Sequence, residues 1–156
     1  MADVVDKATR SRMMSGIRGK DTKPEILIRK GLFAKGFRFR LHSRKLPGKP
    51  DIVFPRYKAA ILIHGCFWHG HHCPLFKWPS SNSGFWRKKI DRNREVDNAA
   101  IKTLSGLGWR VLTVWECAIK GSCRISQNNI VRKAGTWLRS GRGNMEIQGT
   151  GGNGAA

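Results

Sequence analysis

Residues 64–73 contain four of the five histidines and two of the four cysteines of the chain. Metal ligation and acid–base catalysis both need such crowding, because several donor side chains must reach one ion or one reacting group. His64 and His69 are the candidate acid–base residues, since an imidazole titrates near neutral pH. The apolar residues 59–63 precede them and predict a buried strand that carries His64 to a loop.

The spacing of cysteine and histidine in this segment is compatible with a zinc site. Three candidate ligands fall within eight residues, and a fourth follows a later predicted strand: Cys66, His71, Cys73 and Cys117. The pattern C-x4-H-x-C is not that of common zinc fingers, and buried free thiols are the competing interpretation. His72 could replace His71, and Cys123 is unassigned.

Three carboxylates stand where a chemical role would explain them. Asp51 follows Pro50 at the start of a predicted strand, where Asp is disfavoured, so it either binds a metal or finishes the preceding turn. Glu25 lies on the buried stripe of the first helix, although a capping box with Thr22 also explains it. Asp97 interrupts an apolar helical stripe, so it either orients a histidine or forms a salt bridge to Arg or Lys.

Aromatic side chains next to the histidines suggest contact with bases. Phe67 and Trp68 lie in a polar, glycine-containing loop where burial is hard to arrange, and Trp86 opens the helix that follows. An apolar wedge of this kind can enter between base steps and unstack them. These three residues are therefore candidate DNA contacts.

The charge of the chain predicts a polyanionic partner. Its 156 residues include 30 Lys and Arg against 10 Asp and Glu, which gives a formal net charge of +20. Basic residues continue through residues 87–94, Lys89 among them, so several elements could contact phosphates. A solvated basic surface is the alternative, and the adjacent aromatics favour nucleic acid over an anionic membrane.

The periodicity predicts one domain with the element order α-β-β-β-α-β-α, a mixed sheet flanked by helices. The predicted strands cover residues 37–41, 51–54, 57–63 and 109–115, and the predicted helices cover 22–35, a segment from 83 to about 105, and a last one around 130–138. The glycine-rich residues 141–156 are expected to be disordered. The start of the chain lacks the features of a signal peptide and no run is long enough to span a membrane, which predicts a cytosolic protein with reduced cysteines.

The sequence closely resembles the very-short-patch-repair DNA mismatch endonucleases, a bacterial branch of the restriction-endonuclease-like PD-(D/E)xK fold. The resemblance runs from about Lys7 to the last helix. It rests on KATRS at 7–11 with Met14, LPGKPD at 46–51, HGCFWH at 64–69, HHC at 71–73, FW at 85–86, Asn93 with Asp97, LGWRVL at 107–112 and VWECA at 114–118.

The resemblance implies an α/β fold of the PD-(D/E)xK type and a Mg²⁺-dependent endonuclease that nicks duplex DNA 5′ to the thymine of a T:G mismatch left by deamination of 5-methylcytosine. It implies an N-terminal DNA-contacting arm at residues 1–20 and an endonuclease domain at 21–140. The implied partners are double-stranded DNA and, functionally, a cytosine-5 methyltransferase and mismatch-repair proteins. The protein would act as a monomer in the bacterial cytoplasm, at the nucleoid.

The resemblance also implies a role for each site residue. Asp51 and the backbone carbonyl of Ile63 would hold Mg²⁺, Glu25 would act near the metals through water, His69 would be the general base oriented by Asp97, and His64 would support the phosphate or leaving group. Cys66, His71, Cys73 and Cys117 would bind structural Zn²⁺. The expected DNA contacts are Phe67, Trp68, Trp86, Met14, Lys89 and Asn93.

The chain offers no acidic residue or lysine at 61–63, where the D/E-x-K pair of the fold would stand. Histidines would therefore take over the proton transfers. Two other functions stay open at this point: a nicking or restriction-type enzyme of the same fold without a mismatch requirement, and a zinc-stabilised DNA-binding module without catalysis.

Overall fold

The computed structural model describes residues 23–43, 45–73 and 75–149. Their helices and strands are, in chain order, α1 (Lys23–Ala34), β1 (Arg40–Leu41), β2 (Ile52–Phe54), β3 (Ala59–His64), α2 (Ser83–Gly106), β4 (Arg110–Trp115), α3 (Gln127–Ser140) and β5 (Met145–Ile147). The mixed α/β order predicted from the sequence is confirmed, with one additional strand at its end. None of the helices in these ranges is both long enough and apolar enough to cross a bilayer.

The five strands form one mixed sheet in the order β1-β2-β3-β4-β5. The first three strands are antiparallel neighbours, whereas β3, β4 and β5 run parallel. His64 at the end of β3 pairs with Trp115 at the end of β4. The carboxyl ends of β3 and β4 therefore lie side by side, and the loops that follow them start from one edge of the sheet.

Helices cover both faces of the sheet, and the burial of β3 follows from this. Ile61 packs with residues of α1 and α3 in the larger core, whereas Leu62 packs against Leu104 of α2 in a second core. Successive side chains of a strand point to opposite faces, so a strand covered on both sides must be apolar throughout. This explains the uninterrupted apolar segment that ends at His64.

The first predicted strand, residues 37–41, is wrong for its first three residues. Gly36 adopts a φ of +97° and ends α1. The Phe37 N–H donates to the Leu32 carbonyl at 3.1 Å, and the Gly36 N–H donates to the Phe33 carbonyl at 3.0 Å. This is a Schellman cap, which uses the Phe37 donor to close the helix. Only Arg40–Leu41 pair with β2.

The third predicted strand also starts later than expected. Pro55–Tyr57 form a 3₁₀ turn, and Lys58 follows it with a left-handed φ of 48°. β3 therefore begins at Ala59 rather than at residue 57.

The expectation of a disordered tail at residues 141–156 is wrong for β5. Met145 pairs with Leu112, and Ile147 pairs with Val114. Glycines supply the turn before the strand, and Ile147 is buried against the larger core. A high glycine content therefore does not prevent a short strand here, because the partner strand β4 is already in place.

Several predictions fall on residues outside the described ranges. They concern the arm at residues 1–20, the DNA contact of Met14 and the helix cap of Thr22.

Candidate active site and metal centre

Three clusters of potential ligands lie around the carboxyl end of β3. Within each cluster, the nitrogen, oxygen or sulfur atoms that could bind a metal all lie within 4.8 Å of one another. The clusters are Cys66 with His71, Cys73 and Cys117, His64 with His69 and Asp97, and Glu25 with His42 and Asp51.

The Cys/His cluster joins the loop after β3 to the turn after β4. Cys66, His71 and Cys73 come from the first segment, and Cys117 comes from the 3₁₀ turn Glu116–Ala118. The parallel pairing of β3 and β4 brings these segments together. Sequence reasoning left His71 and His72 as alternatives, and the structure places His71 in the cluster while His72 is exposed.

The geometry of this cluster fits a zinc ion. The sulfur atoms of Cys66 and Cys117 each lie 3.6 Å from Nδ1 of His71. A tetrahedral ion with Zn–S and Zn–N bonds of ordinary length separates its sulfur and nitrogen ligands by about 3.6 Å. The Cys117 backbone N–H also donates to the Cys66 sulfur at 3.3 Å, a bond that stabilises a thiolate.

The protonation of the thiols in this cluster depends on whether a cation is bound. Burial raises the pKa of both Cys66 and Cys117, so these thiols hold their protons when no cation is bound. A bound cation would displace the protons, because thiolate is the form that ligates metals. Cys123, which the sequence left unassigned, is buried and does not belong to this cluster.

The second cluster combines two stacked imidazoles with one carboxylate. The rings of His64 and His69 stack with centroids 3.9 Å apart. Nδ1 of His69 hydrogen-bonds to Oδ2 of Asp97, and the other oxygen of Asp97 lies 4.0 Å from Nε2 of His64. The strand, the loop and the middle of α2 each contribute one side chain. Among the described residues, the salt-bridge partners of Asp97 are these two histidines, and no Arg or Lys of those ranges pairs with it.

The environment keeps the His64 ring neutral. Burial lowers its pKa to about 4, the nearby His69 adds to this shift, and Asp97 opposes it. At pH 7 the ring therefore acts as a neutral hydrogen-bonding group. With Nδ1 of His69 directed at the carboxylate, the opposite nitrogen of that ring can accept a proton.

The third cluster places Asp51 beside two groups from other elements. The Asp51 carboxylate accepts a hydrogen bond of 2.8 Å from the Ile63 backbone N–H. Glu25 is almost fully buried, and its carboxylate lies 3.1 Å from Nε2 of His42 and 2.9 Å from Arg29. Burial raises the pKa of Asp51 to about 6, and the neighbouring Glu25 contributes to the increase, while the Ile63 hydrogen bond opposes it.

The main chain of Ile63 offers an additional oxygen at this cluster. In an extended strand the N–H and C=O of one residue point to the same side. The Ile63 N–H faces Asp51, so its carbonyl also faces the side of β3 on which β2 begins. Two carboxylates and a carbonyl are oxygen donors of the type that Mg²⁺ binds.

Sequence reasoning missed His42. It follows the two-residue strand β1, its backbone N–H donates to the Asp51 carbonyl at 3.0 Å, and its φ is +50°. A positive φ is uncommon for a residue with a side chain and turns the chain sharply. The ring thereby reaches Glu25, which no local sequence pattern indicated.

The loop aromatics form a continuous surface with residues of the next segments. Phe67 packs against Trp68 and Trp86 with centroids 5.3 Å away in each case. Trp68 is 42% exposed. The chain of ring contacts extends to Phe85 of the FW motif and to Phe76 and Trp78, which the sequence did not indicate. An exposed aromatic surface beside a histidine cluster is suited to stacking on bases.

Side chains of α2 hold this loop in place. Asn93 donates from Nδ2 to the Trp68 carbonyl at 2.7 Å, and Arg94 donates to the carbonyls of His69 and Gly70. Gly70 has a φ of +59°, and a Cβ there would lie 2.6 Å from Ile90. The Asn93 amide therefore fixes the main chain of the loop at Trp68. Lys89 is exposed on the same helix.

Comparison with known proteins agrees with this arrangement. The family model described as DNA mismatch endonuclease Vsr matches residues 2–75. The chain is 45% identical over 138 residues to the DNA mismatch endonuclease Vsr of Escherichia coli (strain K12), which covers 88% of each protein. It is 44% identical over 135 residues to the type II nicking enzyme V.NmeAIP of Neisseria meningitidis serogroup A, covering 85% of this chain and 96% of that enzyme.

A third relative is the type II nicking enzyme V.XorIIP of Xanthomonas oryzae pv. oryzae, 43% identical over 119 residues, or 76% of this chain and 88% of that enzyme. The named activities of these relatives all involve cutting DNA, and the histidine and carboxylate clusters around β3 are suited to such hydrolysis. Because the similarity to the Escherichia coli protein extends over most of both chains, the chain belongs to the Vsr family of DNA mismatch endonucleases and is a DNA endonuclease.

Proposed function

We propose that this protein nicks duplex DNA on the 5′ side of the thymine in a T:G mismatch and thereby starts very short patch repair. The observation that carries the proposal is the His64–His69–Asp97 cluster at the end of β3, where the Ile63 N–H also binds the Asp51 carboxylate. One strand end thus combines a proton acceptor with carboxylates that can hold a cation, and an exposed aromatic surface lies on the adjoining loop.

The sheet is proposed to be a divergent PD-(D/E)xK core. The support is the position of Asp51 at the start of β2, beside the end of β3 where the second motif of that fold would lie. Ile61 and Ile63 stand there instead of an acidic residue and a lysine. The neighbouring histidines supply the titratable groups that these two positions lack.

His69 is proposed to be the general base for the attacking water. The Asp97 carboxylate accepts a hydrogen bond from the protonated Nδ1 of His69. This favours the tautomer in which Nε2 carries no proton and can act as an acceptor. It also stabilises the ring after the proton has been taken up. This division of roles follows the carboxylate–histidine logic common to hydrolases.

His64 is proposed to assist the phosphate or the leaving oxygen as a neutral hydrogen-bond donor. The His64 ring stacks on the His69 ring with centroids 3.9 Å apart, so both imidazoles can reach the same phosphate group. The lowered pKa keeps this ring uncharged and prevents it from repelling a protonated His69. Phosphodiester cleavage requires stabilisation of charge that develops on oxygen, and a fixed donor supplies part of it.

Asp51 and the Ile63 carbonyl are proposed to hold Mg²⁺, with Glu25 acting through water. The oxygen-rich donor set and the proximity of Glu25 to Asp51 support this assignment. Bound Mg²⁺ would neutralise charge on the scissile phosphate. Glu25 is kept in place by Arg29 and His42. The raised pKa of Asp51 fits a carboxylate that needs a cation to be fully ionised at neutral pH.

Cys66, His71, Cys73 and Cys117 are proposed to bind structural Zn²⁺. The separations of 3.6 Å between the two sulfur atoms and His71 support this assignment. The ion would tie the loop that carries the acid–base histidine to the end of β4. A fixed loop matters because a general base must stand within hydrogen-bonding distance of its water.

The proposed DNA contacts are Phe67, Trp68, Trp86, Lys89, Asn93 and Met14. The aromatic residues would enter beside the mismatch, where a wobble pair resists unstacking less than a Watson–Crick pair. Lys89 and the high positive charge would bind phosphates without reading sequence. Met14 and the arm at residues 1–20 would contact the other groove.

The same proposal includes the setting of the enzyme. T:G mismatches of this kind arise where cytosine has been methylated, so a cytosine-5 methyltransferase and mismatch-repair proteins are the expected functional partners. We expect a monomer that acts on DNA at the nucleoid, in the cytoplasm of a bacterium.

A second candidate is nicking of correctly paired DNA. It is favoured by the 44% sequence identity to an enzyme described as a type II nicking enzyme. Such an enzyme would read an intact sequence, and the aromatic residues would then contact DNA without the help of a weak pair.

Nicking of two labelled duplexes distinguishes these functions. The duplexes are identical except for a central T:G or T:A pair, within a sequence recognised by a cytosine-5 methyltransferase, and each is incubated with and without Mg²⁺. Cleavage confined to the strand 5′ of the mismatched thymine supports the proposal. Equal cleavage of both duplexes supports the second candidate, and tight binding without a cut in several target sequences would support a zinc-stabilised DNA-binding module.

A further inference from the structure

The segment that follows β5 reaches the Cys/His cluster. Nε2 of His71 lies 2.9 Å from Oε1 of Gln148, on the side of the ring opposite the two sulfur atoms. Nδ1 of His71 faces those sulfur atoms, so a metal at this nitrogen leaves the ring proton on Nε2. The amide oxygen of Gln148 then accepts that proton in a hydrogen bond.

The next residue contacts a second member of the cluster. The Gly149 backbone N–H donates to the Cys117 sulfur at 3.3 Å. A Cβ at Gly149 would lie 2.5 Å from the Cys117 carbonyl and 2.6 Å from the Cys123 carbonyl, so only glycine allows this approach. A hydrogen bond from a backbone amide stabilises the negative charge of a ligating thiolate.

Strand β5 positions both of these residues. Glu146 accepts a hydrogen bond of 2.9 Å from Nε1 of Trp115. The Trp115 ring stacks on the His71 ring with centroids 4.0 Å apart and planes 14° apart. The imidazole is thus held on one face by Trp115 of β4 and at its edge by Gln148, and the pairing of β5 with β4 brings Gln148 to this position.

We infer that Gln148 and Gly149 are positioning residues of the metal centre, so that metal binding and docking of β5 stabilise each other. The inference rests on the proposed zinc site and extends it to a segment whose composition suggests a disordered tail. Gln148 selects the ring tautomer that binds metal, and Gly149 stabilises one thiolate. In return, the loaded cluster gives the end of β5 two fixed partners.

Zinc competition with a chromogenic chelator tests the role of Gln148. The full-length chain is compared with Q148L, Q148E and Q127L, the last being a matched change at an exposed position of α3. We expect Q148L to bind zinc about 10–100-fold more weakly, because outer-shell partners of ligating histidines contribute on this scale. Q148E should bind at least as tightly as wild type, since a carboxylate also accepts the Nε2 proton, and Q127L should match wild type.

A spectroscopic signature separates positioning from general stabilisation. In the zinc-loaded wild type the proton on Nε2 of His71 should exchange slowly with water, whereas in Q148L it should exchange faster. Wild-type zinc affinity together with unchanged proton exchange in Q148L would overturn the inference and leave the zinc site intact. A wild-type chain that binds no zinc at all would instead overturn the proposed metal centre and this inference with it.

Hydrogen exchange on the wild type tests the coupling without any substitution. Zinc removal should increase amide exchange at residues 145–149 while leaving that of β2, on the other side of the sheet, unchanged. Equal protection of residues 145–149 in the zinc-loaded and metal-free proteins would overturn the proposed coupling.

Discussion

The carboxylate of Asp51 accepts a hydrogen bond of 2.8 Å from the backbone N–H of Ile63. This bond joins the start of β2 to the end of β3, one residue before His64. It aims the carboxylate at the strand end and leaves the Ile63 carbonyl on the same side. The Ile63 side chain takes no part in this arrangement, so the site requires the main chain of β3 at this position rather than a particular residue type.

Replacement of Asp51 with Asn should abolish nicking and leave DNA binding nearly unchanged. The amide can still accept the Ile63 hydrogen bond, so the fold is kept while the negative charge for the cation is lost. We expect a decrease in the single-turnover rate of about 10²-fold or more. Rates at saturating enzyme and binding to a T:G duplex by fluorescence anisotropy test this, and weaker binding with an unchanged rate would contradict the assignment.

The same variant should change how stability depends on pH. In the metal-free protein the pKa of Asp51 is about 6, above its ordinary value of 3.8. Protonated Asp51 therefore contributes stability that is complete below pH 3.8 and is lost as the pH rises through 6. Asn does not ionise, so the stability of the Asp51→Asn variant lacks this pH dependence. The free energy of unfolding of the variant minus that of wild type should therefore increase from pH 4 to 7, by up to about 3 kcal/mol. Urea denaturation in chelator measures it, and a pH-independent difference would argue against the buried carboxylate.

Asp97→Asn should slow nicking by about 10²–10⁴-fold at pH 7. An amide can donate to Nδ1 of His69 and so stabilise the tautomer that lacks an acceptor at Nε2. The matched control is Glu95→Gln, an acidic residue at an exposed position of the same helix. A full pH–rate profile of both variants is the measurement. Equal losses in the two variants would assign Asp97 a general electrostatic effect rather than orientation of the base.

The helical parts of the site could be predicted because they follow a local period. In α2, Ile90 and Leu104 are buried, and Asp97 lies on the same stripe, as the spacing of 3.6 residues predicts. The end of α1 at Gly36 is likewise a local signal. The environment of these residues can be predicted from the residue types three or four positions away in the sequence.

Other parts depend on contacts between distant segments. His42 reaches Glu25 only because its backbone turns after a two-residue strand. Met145–Ile147 became a strand by pairing with β4, which lies about thirty residues earlier in the chain. The contact between Gln148 and His71 follows from that pairing. The periodicity of a local sequence segment does not predict such contacts. A glycine-rich composition, as in residues 141–156, instead predicts disorder.

Cys117→Ser should release zinc and lower the melting temperature, whereas Cys123→Ser should retain the metal. Both cysteines are buried, but only Cys117 lies 3.6 Å from Nδ1 of His71. The pair of variants therefore separates the loss of a ligand from the loss of a buried sulfur. Elemental analysis and thermal denaturation give the two readouts. Equal zinc content in Cys117→Ser and wild type would exclude Cys117 as a ligand.

Trp68→Ala should reduce the preference for mismatched over paired duplex. Trp68 is 42% exposed and packs edge-on against Phe67, so its ring can stack on a base without unfolding the loop. The loss of one such contact corresponds to about 1–3 kcal/mol. Phe33→Ala is the matched control, because Phe33 is a 54% exposed aromatic on α1. Competition between T:G and T:A duplexes measures the ratio of affinities. A ratio unchanged by Trp68→Ala would place the wedge elsewhere on the aromatic surface, and an equal decrease with Phe33→Ala would argue against a specific wedge.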